Sequence, residues 1–325
     1  MSKSWMIPTQ NDPLGAVRAF IFHIWKATNL DQILLPLNGN MNITGPNIVN
    51  SAAQIGKFNP FTPLMPINAI QLIPKLVDSG NNIAAVLRPC EMRTLHGMIK
   101  YNEVYTRNLL TISVDCLGTL PKDEYEWRAQ RKGSPKGLAQ EALKFARQGG
   151  IVPYRYRAAC QICQSPKATN ADINIGVIGL PVREYLLIQY KDEKSAKSLQ
   201  PKDIIPANDA LISHHRSTID RIIERGKETR SRIFAGLRGM LPTNIDSLIE
   251  QMQYCGDCRV CLETCPISNF NFPRLDDHGV YLRNDIFEWL VSCSECGVCE
   301  QECPRHLPLT IIFSFIRSQL AACNC

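Results

Sequence analysis

Eight of the 14 cysteines in this 325-residue chain fall into two copies of one spacing. The first copy, CGDCRVCLETCP, contains Cys255, Cys258, Cys261 and Cys265, followed by Pro266. The second copy, CSECGVCEQECP, contains Cys293, Cys296, Cys299 and Cys303, followed by Pro304. Both read C-x2-C-x2-C-x3-C-P, a spacing in which thiolate sulfurs hold [4Fe–4S] clusters. The chemistry this predicts is the transfer of single electrons.

The spacing also predicts which cysteines act together. Three cysteines at intervals of three wrap a tight loop around one cluster, and the fourth points away and ligates the other cluster. The first cysteine set is therefore Cys255, Cys258, Cys261 and Cys303. The second cysteine set is Cys265, Cys293, Cys296 and Cys299. Two zinc sites are the alternative, although structural zinc usually takes two C-x2-C pairs separated by a longer loop.

Four more cysteines precede these motifs, and we call them the third cysteine set: Cys90, Cys116, Cys160 and Cys163. Cys90 follows the apolar run NNIAAVL, and Cys116 follows NLLTISVD. If these runs are neighbouring parallel strands, both cysteines lie at the sheet edge where open α/β sheets hold ligands. The C-x2-C pair would complete four thiolates for a further [4Fe–4S] cluster. Buried core thiols, a redox dithiol or a zinc site remain alternatives for the same residues.

The elements that would position these cysteines differ between the two parts of the chain. Residues 1–240 alternate between predicted strands (31–37, 81–87, 108–115, 171–179 and 184–190) and predicted helices (15–28, 68–80, 91–101 and 136–150). This alternation predicts an α/β domain with a mostly parallel sheet. A long helix over 209–237 leads to a small α-helical domain over 241–325, which contains both ferredoxin-type motifs. The chain has no G-x-G-x-x-G or G-x4-G-K-[ST] fingerprint for a nucleotide.

Composition places the chain among ordinary globular proteins, with 45% apolar residues and a net charge of +6 from 36 basic and 30 acidic residues. This mild charge does not predict binding to nucleic acid. The N-terminus lacks a secretory signal, and the longest apolar stretches are too short for a transmembrane segment. We therefore expect a cytoplasmic protein whose cysteines bind metal or react, because disulfides are rare there. Cys323 and Cys325 have no predicted role.

Three blocks of the first 240 residues resemble a known family. They are P-C-E around Cys90, D-C-x-G around Cys116, and CQICQSPKATNADINIGVIG after Ala159. Over about residues 15–235 the chain resembles the beta subunits of coenzyme F420-reducing hydrogenases and deazaflavin-linked formate dehydrogenases. The segment over about 245–320 resembles the helical two-cluster ferredoxin modules of heterodisulfide reductase and related subunits. In several family members a ferredoxin-like segment precedes the flavin domain, whereas here it follows.

The resemblance implies an iron–sulfur flavoprotein domain that binds FAD and a [4Fe–4S] cluster on the third cysteine set. It implies an oxidoreductase subunit that passes electrons between FAD, the clusters and a catalytic partner. Hydrogenase, formate dehydrogenase and heterodisulfide-reductase-like proteins all fit as partners in such a hetero-oligomeric complex. Arg88 and Arg93, which flank Cys90, are candidates for a flavin phosphate. The alternative is a flavin-free iron–sulfur relay or docking module with no substrate site of its own, and no catalytic residue is predicted.

Overall fold

The computed structural model describes residues 4–38, 44–77, 82–100, 108–132, 135–148, 155–255 and 258–323. The strands are β1 (Ser4–Pro8), β2 (Gln32–Asn38), β3 (Thr44–Val49), β4 (Ile83–Leu87), β5 (Leu109–Val114), β6 (Ile173–Gly176), β7 (Tyr185–Tyr190) and β8 (Ile205–Pro206). The helices before residue 240 are α1 (Pro13–Ala27), α2 (Ile73–Val77), α3 (Pro89–Lys100), α4 (Lys122–Lys132), α5 (Pro135–Lys144), α6 (Ala158–Gln161), α7 (Glu193–Leu199) and α8 (Asp209–Gly236). Those after it are α9 (Ile245–Gln253), α10 (Val260–Glu263), α11 (Arg283–Ser292), α12 (Val298–Gln301) and α13 (Leu309–Cys323).

All eight of these strands form one mixed sheet in the order β3-β2-β4-β5-β6-β7-β1-β8. The central strands β2, β4, β5 and β6 are parallel, as the sequence predicts. The flanking pairs, β2–β3, β6–β7, β7–β1 and β1–β8, are antiparallel. The prediction of a mostly parallel sheet therefore describes the centre of the sheet, and the sheet as a whole is mixed.

The two faces of the sheet belong to two different cores. Along β2, Ile33 and Leu35 pack in one core, whereas Leu34 packs in the other. This is the alternation that a pleated strand imposes. The first core is completed by α1, α4, α5 and part of α8. The second core combines α2 and α3 with α9, α11 and α13 of the C-terminal segment.

Most predicted helices form close to their predicted positions. Helix α1 begins at Pro13 behind an Asp12 side chain that accepts the backbone N–H of Gly15, which is a standard N-cap. The predicted helix over 68–80 divides into a 3-10 turn at Ala69–Leu72 and the short α2. Its predicted end at Gly80, like the end of the predicted helix over 136–150, lies outside the described residues. In the described part of the chain, no helix is both long and apolar enough to cross a membrane.

Candidate iron–sulfur centres

The third cysteine set begins at the carboxyl edge of the parallel strands. Strands β4 and β5 are parallel neighbours, with Leu87 opposite Ser113. Cys90 lies in the first turn of α3 directly after β4, and Cys116 lies just beyond β5. The parallel pairing that the sequence analysis required of these two strands is therefore present, and it brings the two cysteines to one edge of the sheet.

The four thiols of the third set lie close enough to influence one another. Burial and the charge of Glu91 raise the pKa of the Cys90 thiol, and the Cys116 thiolate raises it further. Burial raises the pKa of Cys163 to about 11, and Cys160 and Cys116 contribute to this shift. The C-x2-C pair therefore lies near the two strand-end cysteines.

Asp115 holds this arrangement together. Its buried carboxylate accepts the backbone N–H groups of Ala168, Val177 and Ile178 at 2.7, 2.9 and 3.1 Å. The backbone N–H of Cys116 donates to the carbonyl of Pro166. Asp115 thus ties the end of β5 to the loop that follows Cys163 and to the end of β6. Sequence reasoning used the D-C-x-G block only as a resemblance and did not recognise this role of its aspartate.

Arg88 and Arg93 flank Cys90 but have different surroundings. Arg88 donates from Nη2 to the carbonyls of Thr62 and Leu64, and it lines a cavity beside Cys116. Arg93 is not among the residues that line this cavity. It donates instead to the carbonyls of Ser165 and Ser294, at 3.3 and 2.9 Å, and so joins the loop after Cys163 to the second ferredoxin loop.

The cavity beside Cys116 lies at the carboxyl ends of β4 and β5. Its walls are largely apolar, and the charged residues in its lining are Arg88, Glu91 and Asp115. Its lining includes Pro36, Phe61, Leu64, Met65, Leu117 and Gly118. A concave, mostly apolar site with a few polar groups at the edge of an α/β sheet is typical of a cofactor site.

In the C-terminal segment, the fourth cysteine of each motif lies with the first three cysteines of the other motif. Burial raises the pKa of the Cys261 thiol to about 12, and the nearby charges of Cys255, Cys303 and Cys258 add to this shift. Cys303 belongs to the second motif in the sequence, but its thiol lies near the thiols of the first motif. The half-buried Cys255 directly follows Tyr254, which is 76% exposed, so the first set adjoins the protein surface.

The second cysteine set surrounds an internal space. All four of its cysteines line one cavity, together with the aromatic rings of Trp289 and Phe313. Burial raises the pKa of Cys293 to about 12, with Cys265 as the next cause. The indole Nε1–H of Trp289 donates to Cys265 Sγ at 3.3 Å. Among the described residues, no three His, Cys, Asp or Glu side chains are close enough to hold a single metal ion.

Glu295 fixes the second ferredoxin loop to two long helices. Its carboxylate accepts two hydrogen bonds of 3.1 Å from Arg230 of α8 and one of 2.9 Å from Ser314 of α13. Arg317 lies 3.2 Å away on the same helix α13. Although burial acts in the opposite direction, the charges of Arg230 and Arg317 lower the pKa of Glu295. The loop is therefore held by ionic contacts to α8 and α13.

The three sets occur in a row. The charge of Cys296, in the second set, raises the pKa of Cys90 in the third. The charge of Cys261, in the first set, raises the pKa of Cys299 in the second. The second set consequently lies between the other two. The sheet-edge cavity adjoins the third set at one end of this row, and the exposed Tyr254 adjoins the first set at the other.

Comparisons with known proteins agree with parts of this description. Residues 254–307 match the family model of a 4Fe-4S dicluster domain. This match supports two [4Fe–4S] clusters in the C-terminal segment, which is thus an iron–sulfur electron-transfer module. No curated protein matches the chain.

A structural likeness covers most of the chain. One similar solved structure is a chain of the F420-reducing [NiFe] hydrogenase complex from Methanosarcina barkeri. The likeness covers 71% of this chain and 91% of that chain, with a TM-score of 0.51 and 12% sequence identity. At this identity, the likeness establishes a shared fold.

Proposed function

We propose that this chain is an electron-transfer subunit of a multi-subunit oxidoreductase complex, with three [4Fe–4S] clusters in a row. The observation that carries the proposal is the order of the three cysteine sets between the sheet-edge cavity and the exposed Tyr254. A [4Fe–4S] cluster, when bound, accepts and releases one electron at a time. The proposed ligands are the first, second and third cysteine sets as defined above. The proposed setting is a reducing cytoplasm, because the twelve cysteines of the three sets form no disulfide bonds.

We further propose that FAD occupies the cavity beside Cys116. The cavity adjoins the third set, and its apolar walls suit a flat ring system, while Arg88 supplies a positive charge for a phosphate. A flavin, when bound, accepts two electrons and releases them singly, which would couple paired-electron chemistry to the clusters. Arg88 is supported by its place in the cavity wall. Arg93 lies between two cysteine loops, so we propose it as a charge that positions those loops.

The partner would meet the chain at the first set. Tyr254 and Arg305 are both exposed there, and Arg305 donates to the carbonyl of Tyr254 at 2.9 Å. The structural likeness to a hydrogenase-complex chain supports a catalytic protein as partner. Formate dehydrogenase, hydrogenase and heterodisulfide-reductase-like proteins remain the proposed classes, and membership in the beta-subunit family remains part of the proposal.

The experiment is a cofactor count on anaerobically purified protein. We expect about twelve irons per chain, four for each of three clusters, and one flavin detected by fluorescence after heat release. Iron near eight would contradict the third cluster, and Cys116→Ser should then leave the cluster spectra unchanged. Twelve irons without flavin would instead favour the second candidate, a flavin-free relay, which the continuous row of cysteine sets also supports.

A further inference from the structure

Arg157 is a buried arginine between the third and second cysteine sets. It is 7% exposed and directly precedes α6, the short helix that contains Cys160. Its Nε donates to Thr119 Oγ1 at 2.8 Å, and its Nη2 donates to the carbonyl of Cys296 at 2.9 Å. Thr119 Oγ1 in turn lies 3.1 Å from Cys160 Sγ. A continuous series of polar contacts thus links a thiol of the third set to the backbone of the second.

The backbones of the two sets are also in close contact at this point. Gly297, which follows Cys296, has a positive φ of 73°. A Cβ atom at this position would lie 2.5 Å from Cβ of Ala159 in α6. The loop of the second set therefore packs directly against the helix of the third, beside the Arg157 guanidinium.

The charge of Arg157 is matched to this location. An unpaired guanidinium is strongly disfavoured in a protein interior, so a buried arginine needs nearby negative charge. The Arg157 guanidinium reaches the Cys296 carbonyl of the second set directly, and it reaches the Cys160 thiol of the third set through Thr119 Oγ1. The negative charge that favours a cation here comes from the two proposed cluster sites together.

We propose that Arg157 is a positioning residue for electron transfer between the third and second clusters. Its planar fork holds the two cysteine loops together, and its fixed positive charge favours the reduced clusters. This inference rests on the proposed function, because it requires clusters on both sets. Reduction adds a negative charge to a cluster, and a nearby cation stabilises that charge. Loss of the cation lowers the reduction potential.

The test compares Arg157→Gln with Arg157→Lys and with a control, Arg128→Gln. Arg128 is also mostly buried, at 11% side-chain exposure, but it pairs with Glu124 in α4. Iron is counted in each variant, and the clusters are titrated with reductant while their EPR signals are followed. At the wild-type midpoint, we expect Arg157→Gln to lower the reduced-to-oxidised ratio of a cluster about tenfold, which is about 59 mV for one electron. Arg157→Lys keeps the charge and should stay within about threefold of wild type.

Gly297→Ala tests the same contact without a change of charge. It should displace α6 and weaken the magnetic coupling between the reduced clusters. Gly279→Ala is the matched control, because Gly279 also has a positive φ, of 76°, but has open space around its Cβ position. If Arg157→Gln binds fewer irons than wild type, its reduction potential cannot be compared with that of wild type. The comparison of Gly297→Ala with Gly279→Ala then tests the inference.

A wild-type ratio in Arg157→Gln with its irons intact would overturn the role of Arg157. So would an equal shift in Arg128→Gln, or unchanged coupling in Gly297→Ala. These outcomes differ from failure of the proposed function, in which the wild-type chain itself binds eight irons or fewer.

Discussion

At the residue scale, some cysteine sulfurs accept a hydrogen bond from a neighbouring side chain. Trp289 is the clearest example, because its N–H donates to Cys265 Sγ and its ring packs edge-on against Phe313 at 4.9 Å. Hydrogen bonds to sulfur are among the factors that set cluster potentials. A donor stabilises the more negative, reduced cluster more than the oxidised one.

Trp289→Phe should therefore lower the potential of the second cluster. The variant keeps an aromatic ring beside Phe313 but removes the donor. A difference on the order of 1 kcal/mol would lower the reduced-to-oxidised ratio roughly fivefold. EPR-monitored titration measures this ratio. Trp127→Phe is the control, since Trp127 is 48% exposed and lies over Arg131, and an equal shift there would contradict the assignment.

The pH dependence of Cys163 is a second residue-scale prediction. Its pKa rises from an ordinary value of 9.0 to about 11 because burial penalises the thiolate. In the cluster-free folded chain, alkylation of Cys163 should still accelerate tenfold per pH unit between pH 9 and 10, because only the thiolate reacts. In urea the rate should level off near pH 9. Mass spectrometry of the alkylated peptide measures both rates, and equal profiles would contradict the prediction.

The same shift affects folding stability in a defined direction. The folded chain keeps this thiol protonated when the unfolded chain has already lost the proton. The contribution to stability is complete below pH 9 and disappears as the pH rises towards about 11. Alkaline conditions therefore destabilise the cluster-free fold.

At the element scale, helix α8 connects the sheet to two cysteine loops, the one at Cys163 and the second ferredoxin loop. Ile219 packs in the first core, and Arg230, further along the helix, binds Glu295 of the second ferredoxin loop. Between them, a Cβ atom at Gly226 would overlap the carbonyl oxygen of Cys163. The absence of a side chain at this position allows the helix to approach the C-x2-C pair closely.

Gly226→Ala should displace the Cys163 loop and reduce the iron content from about twelve towards about eight per chain. Such overpacking typically costs about 1–3 kcal/mol of stability. Gly236→Ala in the same helix is the control, since no atom lies within 4 Å of its Cβ position. Iron analysis and thermal melting compare the two variants. Full iron in Gly226→Ala would show that the loop tolerates the displacement.

Elements with strong patterns were predictable, and those with mixed signals were not. The apolar runs of β4 and β5 predicted buried parallel strands correctly, because both faces of those strands are covered. Strand β3 was missed because Gly45 and Pro46 resemble a turn, although Pro46 pairs with Pro36 of β2. Strand β1 also escaped prediction, since SWMIP is short and pairs with β7, nearly 180 residues later.

The features of the candidate site also divide into those that the sequence predicts and those that it does not. Motif spacing assigned the cysteines to three sets, and this assignment as cluster ligands stays a prediction. Spacing could not predict the contacts of Arg157 or Asp115, because their partners come from distant segments such as the Cys296 carbonyl and the end of β6. Nor could it predict the order of the three sets.

At the scale of the whole molecule, the C-terminal segment is part of the main fold. Its residues Leu248, Trp289 and Phe313 share a core with Leu34 and Leu87 of the sheet. We propose that the segments before and after residue 240 each carry cofactors but fold as one unit.

A chain ending at residue 240 should therefore fail to form a stable monomer. It would expose the apolar face of β2, β4 and α3, and large exposed apolar patches promote association. We expect aggregation or a loss of cooperative unfolding, measured by size-exclusion chromatography and thermal melting beside the full chain. A monomeric truncated chain with a single sharp transition would instead indicate independent domains.

The exchange of cysteines between the two ferredoxin loops has a consequence for biosynthesis. The third set is complete in the chain once residue 163 has been translated. The second set must wait for Cys299 and the first for Cys303, although the first begins at Cys255. Cluster delivery should therefore occur in two phases, with both C-terminal clusters inserted almost together once Cys303 has been translated.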